Sequence, residues 1–537
     1  MQEDPSEEAR SGRAFDRPWI IRLALTGVII GAASLSAYWV FLVPIFESPD
    51  EVVHFDYALN LYSAGRLISA REPFHAWNTP IPPLNPNPKT SVVHVYTSYL
   101  IDASDLKTIR FNPTKRVVSD YGTSAFYNDL DRNAPDERSG DMDGKPRNIF
   151  SFVTVYPYGY YSAVAAWMGV LGHFSHRLSV LYFGARLFSV SLLIASLLLT
   201  YAICVELRFS AWRAVLVTAI IGFFPLTSFV SSYVQPDNLA FTLVMLCCYL
   251  ALLIKRKADW RLLLLLGLSL GALCVTKYQY YACVLIAVMG MLAACRLSGS
   301  LKNVSWKSLF ALTLLPSLLF ASVQVWINYG SQMEPLIANR DPLQGFKEAS
   351  TGVMGFTGFV LNGIASAFGN FFIGGPMFDS FLGTFGWMDT PLVIVSPGFD
   401  YFIRSIVRII VLITLVLLLV RVKQIAPRLI VAVRRGHWRS ALRVSFGNPL
   451  LNSFWLFAAF LFGFAVLAGD YYAGQGRYWF PFMLPIFLIG THYAPLAVAN
   501  HKIRGTLSNS LTAMLALYCV VGSCFAIRSL LARFYEH

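Results

Sequence analysis

Apolar residues in this chain are gathered into runs of about 20, and polar and charged residues collect in the stretches between them. A run of that length crosses a hydrocarbon core of roughly 30 Å as a helix. The runs at 19–46, 179–205, 213–233, 238–254, 262–276, 278–295, 308–328, 404–421, 449–469, 478–498 and 508–527 predict about eleven crossings, within a range of nine to thirteen. The stretches from Leu187 to Val205 and from Leu309 to Ile327 hold no charged residue, whereas the run at 404–421 carries Arg404 and Arg408 in its first turns. The run from Trp19 to Phe46 is too long for the apolar region of a cleaved signal peptide.

Lys and Arg counts orient the runs, because loops facing the cytoplasm carry the excess of basic residues. The pair Arg208/Arg213, the cluster Lys255–Lys257, the trio Arg296/Lys302/Lys307, the basic stretch 421–443 and the pair Lys502/Arg504 fall on one side if the aromatic stretch from Phe152 to Gly172 does not cross. That stretch holds Tyr156, Tyr158, Tyr160, Tyr161 and Trp167, and is expected to lie at the membrane surface. Arg528 and Arg533, on the outer side in this scheme, run mildly against it. The expected architecture is an all-α polytopic membrane protein with two large extracytoplasmic loops carrying interfacial helices. It divides into a cytoplasmic segment 1–18, a transmembrane module 19–328 that includes the outer loop 47–178, a second outer loop 329–403, and a C-terminal transmembrane module 404–537. The Gly/Phe-rich stretch from Val353 to Phe372 suits a re-entrant or interfacial segment.

Composition agrees with the pattern. The chain has 537 residues, of which 56% are hydrophobic and 14% charged, and a mean hydropathy of +0.54; a soluble domain carries roughly a quarter charged residues. The net charge of +13 is explained by loops that face anionic lipid, which removes nucleic acid as a partner. The eight cysteines all lie inside apolar runs, where Cys acts as a small hydrophobe rather than as a disulfide or zinc ligand.

Five polar motifs stand out, and the orientation puts them all on the outer face. Glu47-Ser48-Pro49-Asp50-Glu51-Val52-Val53-His54 follows the first crossing, with three carboxylates and an imidazole in eight residues. Ionisable groups at a membrane edge are costly without a use; a carboxylate here could serve as general base on a sugar hydroxyl, or Asp50 and Glu51 could simply favour a helix N-terminus. Asp237, in Tyr233-Val234-Gln235-Pro236-Asp237-Asn238, reads equally as a helix-start acid. Lys277 breaks the positive-inside pattern, as an anion ligand or as a snorkelling lysine. Gln475-Gly476-Arg477-Tyr478 offers a guanidinium fork suited to phosphate oxygens, or an interfacial anchor. Gly386-Trp387-Met388-Asp389 sits in the second outer loop, where Trp387 could stack on a sugar ring. No Gly-rich nucleotide-phosphate motif follows a strand-like run, so a membrane-embedded lipid-phosphate donor suits the site better than a cytoplasmic nucleotide sugar.

Taken together, the motifs resemble a bacterial membrane family of unknown function with a PDExxH-type element after the first helix and a QGRY-x-x-P-type element near the end. Here these are Pro49-Asp50-Glu51-Val52-Val53-His54 and Gln475-Gly476-Arg477-Tyr478-Trp479-Phe480-Pro481. Pro236-Asp237 and Gly386-Trp387-Met388-Asp389 match its internal elements, and Lys277 its basic position. That family looks like a branch of the GT-C glycosyltransferase superfamily, which also includes protein mannosyltransferases. The resemblance implies an inverting enzyme of the bacterial inner membrane. It would move a sugar from a polyprenyl-phosphate donor to a cell-envelope glycan or lipid acceptor on the periplasmic or exterior face. It implies Asp50 as catalytic base with Glu51 as second choice, and Arg477 with Lys277 holding the leaving phosphate. His54, Asp237, Trp387, Asp389, Gln475 and Tyr478 are then substrate-binding. Some relatives use a divalent cation (Mg or Mn) and others do not, so no metal ligand is assigned. The chain departs from the pattern in a first loop that is unusually long from Asn78 to Arg147. A flippase for lipid-linked glycans is the alternative outside enzymes, and a glycan polymerase or ligase the alternative within them; the acids sit at helix ends rather than at the bilayer midplane, which favours an enzyme.

Overall fold

The computed structural model describes residues 18–43, 48, 50–65, 157–175, 177–257, 259–297, 301, 303–329, 383–385, 390–391, 430–441, 480, 483–488 and 494–534, together with isolated positions from 405 to 427. In chain order the helices are α1 (Pro18–Leu42), α2 (Glu51–Ala64), α3 (Gly159–Gly172), α4 (Leu178–Glu206), α5 (Ala211–Phe223), α6 (Pro225–Val230), α7 (Pro236–Arg256), α8 (Trp260–Cys274), α9 (Tyr278–Leu297), α10 (Trp306–Tyr329), α11 (Met483–Leu488) and α12 (His501–Phe534). Among the described residues the only strands are β1 (Thr384–Phe385) and β2 (Thr390–Pro391), an antiparallel pair with Phe385 opposite Thr390. This short ladder brackets residues 386–389 and is the one departure from the all-helical expectation.

Among the described residues, six helices are long and apolar enough to cross a membrane: α1, α4, α7, most of α9 and α10, and α12; α5 and α8 are apolar but shorter. Each of these eight coincides with an expected run. The expected crossing at 449–469 lies outside the described residues and that at 404–421 mostly outside, as do the stretch Val353–Phe372 and the loop from Asn78 to Arg147. The described part of the expected run at 478–498 holds only the short helix α11 and a 3-10 turn at Ala494–Ala497. Leu23, Ile30, Phe41, Leu268, Leu318 and Val520 point outward and are exposed, a cost in water that lipid removes. Helix α3, of 14 residues, is about 21 Å long and too short for a straight crossing.

The element ends follow local chemistry. Ser210 and Asp259 cap α5 and α8 by accepting from the backbone N–H groups of Arg213 and Arg261. Pro236 opens α7 with Asp237 in its first turn, and Lys255 and Arg256 close it, so both ends complement the helix dipole. The expected run at 213–233 breaks at Phe224, because Pro225 opens a new helix. Carbonyls near the break find side-chain donors on α12: Cys519 Sγ lies 3.3 Å from the Ile220 carbonyl and Ser523 Oγ 2.8 Å from that of Phe223. Backbone groups inside a bilayer need such partners.

Two apolar clusters organise the interior. The larger joins α1 and α4 to α12; the smaller joins α2, α3, the first turns of α4 and Val234. Helices α8 and α10 approach most closely at Gly267 and Gly271, a G-x-x-x-G pair. A Cβ on Gly267 would lie 2.2 Å from the Leu312 carbonyl oxygen, and the Gly267 carbonyl accepts from Ser317 Oγ at 3.2 Å. Small residues permit this backbone-to-backbone approach. Gly267→Val should therefore lower unfolding stability in detergent by at least about 1–3 kcal/mol, the usual scale of overpacking. Gly505→Ala on α12, where a Cβ meets nothing within 4 Å, should leave the unfolding midpoint unchanged or slightly raised.

Candidate functional site

The end of α1 carries the first polar motif. Val43 still donates to the Trp39 carbonyl, and the chain re-enters a helix at Glu51. Asp50 is the N-cap of α2 and holds φ 59° and ψ 8°, a left-handed conformation that Asp tolerates better than most residues. Its carbonyl accepts from the His54 N–H at 3.1 Å, and the Glu51 N–H reaches the Ser48 carbonyl at 3.2 Å. The turn is thus closed on itself, with Asp50 half-buried at its apex.

Glu51 points inward and is fully buried. Arg186, on α4, meets it in a two-point pair: Nε donates to Oε1 at 2.8 Å and Nη2 to Oε2 at 2.6 Å. The same guanidinium donates through Nη1 to the Val40 and Val43 carbonyls, each at 2.7 Å. Val40 lies in the last turn of α1 and Val43 just after it, where helical partners run out. Glu51 Oε1 also accepts from the Val234 N–H at 3.1 Å. The second motif, at 232–238, is thereby joined to the first.

The 232–238 turn is held by a polar chain whose directions follow from proton counting. Ser189 Oγ donates to the Tyr233 carbonyl at 2.9 Å, so Tyr160 Oη donates to Ser189 Oγ at 3.2 Å and itself accepts from the Gln235 N–H at 2.8 Å. Burial pushes the Tyr160 phenol above its ordinary pKa, and the same holds for Tyr57. His54 Nδ1 lies 2.8 Å from Tyr161 Oη, and the Tyr57 and Tyr161 rings pack at 4.6 Å between centroids. The tyrosines of α3 therefore face α2 and α4.

Asp237 and Lys277, two sequence candidates 40 positions apart, form a buried ion pair. Lys277 Nζ and Tyr280 Oη both donate to Asp237 Oδ1. The structure thus gives Lys277 an anion from within the chain. A divalent cation does not suit Asp237 in this arrangement, because the lysine ammonium occupies the same carboxylate and repels it. Among the described residues no group of three or more His, Cys, Asp or Glu side chains is disposed to hold a metal ion. Asp237 Oδ2, Gln235 Oε1 and Asn238 Oδ1 are buried without a hydrogen-bond partner. Asn238 is fixed in that orientation, since its Nδ2 donates to the Val230 and Tyr233 carbonyls. The third motif joins the assembly through the backbone: the Gly159 N–H donates to the Val275 carbonyl at 2.7 Å. A Cβ at position 159 would also lie 2.7 Å from that oxygen.

Three of the five motifs therefore meet at one end of the helix bundle. Trp387, Asp389, Gln475, Arg477 and Tyr478 lie outside the described residues. Phe480, three residues after Arg477, is buried with its ring 4.6 Å from that of Phe241, one helical turn past Asp237. Met483 accepts a contact from Thr227 Oγ1 at 3.0 Å. Arg186, Tyr160 and Tyr280 were not legible as site residues. For Arg186 a signal existed: an arginine inside an apolar run is costly and predicts an acidic partner.

The helices and their buried ion pairs define a multi-pass membrane protein with a polar assembly at one end of its bundle. Residues 34–486 match the family described as "Predicted membrane protein (DUF2142)", and the chain belongs to that family. No curated protein and no solved structure matches the chain significantly.

Breaking the second ion pair from one side strands a buried charge, which typically costs about 3–5 kcal/mol. Lys277→Met should lose stability on that scale in denaturant unfolding of the detergent-solubilised protein. Adding Asp237→Asn should restore most of it, giving a large coupling energy in the double-mutant cycle.

Proposed function

We propose that this protein is an inverting glycosyltransferase of the bacterial inner membrane, acting on a polyprenyl-phosphate sugar at the periplasmic or exterior face. The observation that carries the reading is the junction of the Asp50 turn with the 235–238 turn through Glu51 and Val234. One turn presents a half-buried carboxylate at a strained apex. The other carries three acceptor oxygens that lack donors. Buried acceptors left unpaired cost about 1–3 kcal/mol each, and the hydroxyls of a sugar are donors of the kind they lack. Strained backbone concentrates where geometry serves a reaction.

The division between the two adjacent acids follows from their partners. Both oxygens of Glu51 are committed to Arg186, and one also to Val234. Asp50 is the carboxylate assigned to proton transfer. In the reaction, Asp50 takes the proton of the acceptor hydroxyl as its oxygen bonds to the anomeric carbon. The bond from that carbon to the phosphate oxygen breaks with its electron pair, and the configuration inverts. Polyprenyl phosphate departs with the negative charge, which Arg477 compensates. Lys277 and Tyr280 hold one oxygen of Asp237 and leave the other for the sugar; Trp387, Asp389, Gln475 and Tyr478 complete the donor site, and His54 steadies the α2 side through Tyr161.

The experiment supplies purified protein in detergent or nanodiscs with polyprenyl-phosphate hexoses and envelope glycan or lipid acceptors, and follows products by mass spectrometry. Asp50→Asn should lower turnover by about 10²–10⁴, the usual weight of a general base, with an unchanged unfolding midpoint. Turnover equal to wild type in that variant removes Asp50 as base. Absence of transfer with every donor, together with scrambling of lipid-linked sugar across vesicles, points to a flippase instead.

A further inference from the structure

We infer that Arg186 is a positioning residue that sets the distance between Asp50 and the 235–238 turn, a deepening that rests on the proposed glycosyl transfer. The guanidinium is fully buried and its planar fork is engaged on three sides. One edge holds both oxygens of Glu51, one nitrogen holds the terminal carbonyls of α1, and the Tyr182 ring lies 4.7 Å below it. Asp50 sits between these two anchors, after the α1 carbonyls at Val40 and Val43 and immediately before Glu51. The residue immediately after Asp50 is thus anchored by a side chain on a different helix, which also holds the end of α1. Glu51 Oε1 passes the constraint on to Val234, the residue before Gln235.

The chemistry of the group matters as much as its charge. Lysine carries the same charge but presents all its donors from one nitrogen. It cannot bridge both Glu51 oxygens and two carbonyls together. Arg186→Lys therefore keeps the ion pair neutral while releasing the geometry. A shift of about 1 Å at a reacting group is enough to lower a rate by about 10². The expected result is a 10- to 100-fold fall in kcat, by that same principle roughly, with the KM for polyprenyl-phosphate hexose within about threefold of wild type. Arg186→Met, which strands Glu51 without a cation, should lose folding as well.

Hydrogen–deuterium exchange of the full-length protein in nanodiscs supplies a readout independent of turnover. In Arg186→Lys, exchange should quicken in peptides covering 48–56 and 230–238 and stay at wild-type rates in α8, α9 and α12. A wild-type kcat in Arg186→Lys overturns the inference. So does a loss of activity accompanied by faster exchange across all helices, which is a general structural role. If Arg186→Lys does not fold, Glu51→Gln takes its place, since it keeps the shape of the pair and the Arg186 bonds to α1; the same localised exchange supports the inference and unchanged exchange there overturns it. If wild-type protein transfers no sugar from any donor, the glycosyl-transfer reading fails by itself. The exchange pattern then decides alone: quickening confined to 48–56 and 230–238 upholds Arg186 as the residue that fixes the two turns, and its absence removes it.

Discussion

One buried guanidinium, that of Arg186, governs how this bundle is closed at its polar end. Desolvating an arginine and a glutamate costs several kcal/mol per ion, and their attraction repays this only when the geometry is complete. Here it is nearly so. The donors of Arg186 reach both oxygens of Glu51 and the carbonyls of Val40 and Val43. The bonds join the end of α1, the start of α2 and the first third of α4, segments up to 146 positions apart. Apolar contacts between helices in lipid carry little directional information, because lipid tails compete for the same surfaces. A two-point ion pair with a fixed plane supplies the register that Leu and Phe contacts lack.

The second pair works on the same principle one layer away. Lys277 and Tyr280 hold one oxygen of Asp237 from the start of α9, so the α8–α9 turn is registered against the first turn of α7. Between the two pairs lies the polar chain from the Gln235 N–H through Tyr160 and Ser189 to the Tyr233 carbonyl. The 232–235 segment is not helical, so its backbone groups need partners of this kind in a dry interior. What remains unpaired is informative by contrast. Nearly every polar group around the turn is satisfied except three acceptor oxygens, and each is an acceptor rather than a donor. Such acceptors suit the hydroxyl or amide donors of a ligand rather than an anion.

Much of the architecture was legible because a bilayer enforces it: an apolar run of fixed length admits few alternatives to a helix. The eight described crossing-type helices fall where the runs predict them, with ends within a few residues except at two breaks. One is Pro225, which cuts the run at 213–233 in two, and the other is the long α12, which extends well past its apolar centre in both directions. The Gly267–Gly271 pair and Arg186 were missed for opposite reasons. Glycines in an apolar helix look like neutral filler until a neighbour presses on them. Arg186 sits one residue before the uncharged stretch that begins at Leu187, so the run reads as a plain crossing unless a partner is sought for it. Glu51, Asp237 and Lys277 are legible as costly groups, but their partners lie 40 or more positions away and only the packed helices show them.

Two adjacent acids are told apart by their surroundings. Asp50 and Glu51 are chemically similar, one peptide unit apart, and equally conspicuous beside a membrane. Their difference lies in what surrounds them. Glu51, the first residue of α2, is turned into the bundle and saturated by an arginine and a backbone N–H. Asp50 is the cap, in a left-handed turn and half-buried. In the proposed transfer, Glu51, whose two oxygens already carry an arginine and a backbone N–H, is the anchor, and the acid immediately before that anchor in the chain is the one assigned to the acceptor proton.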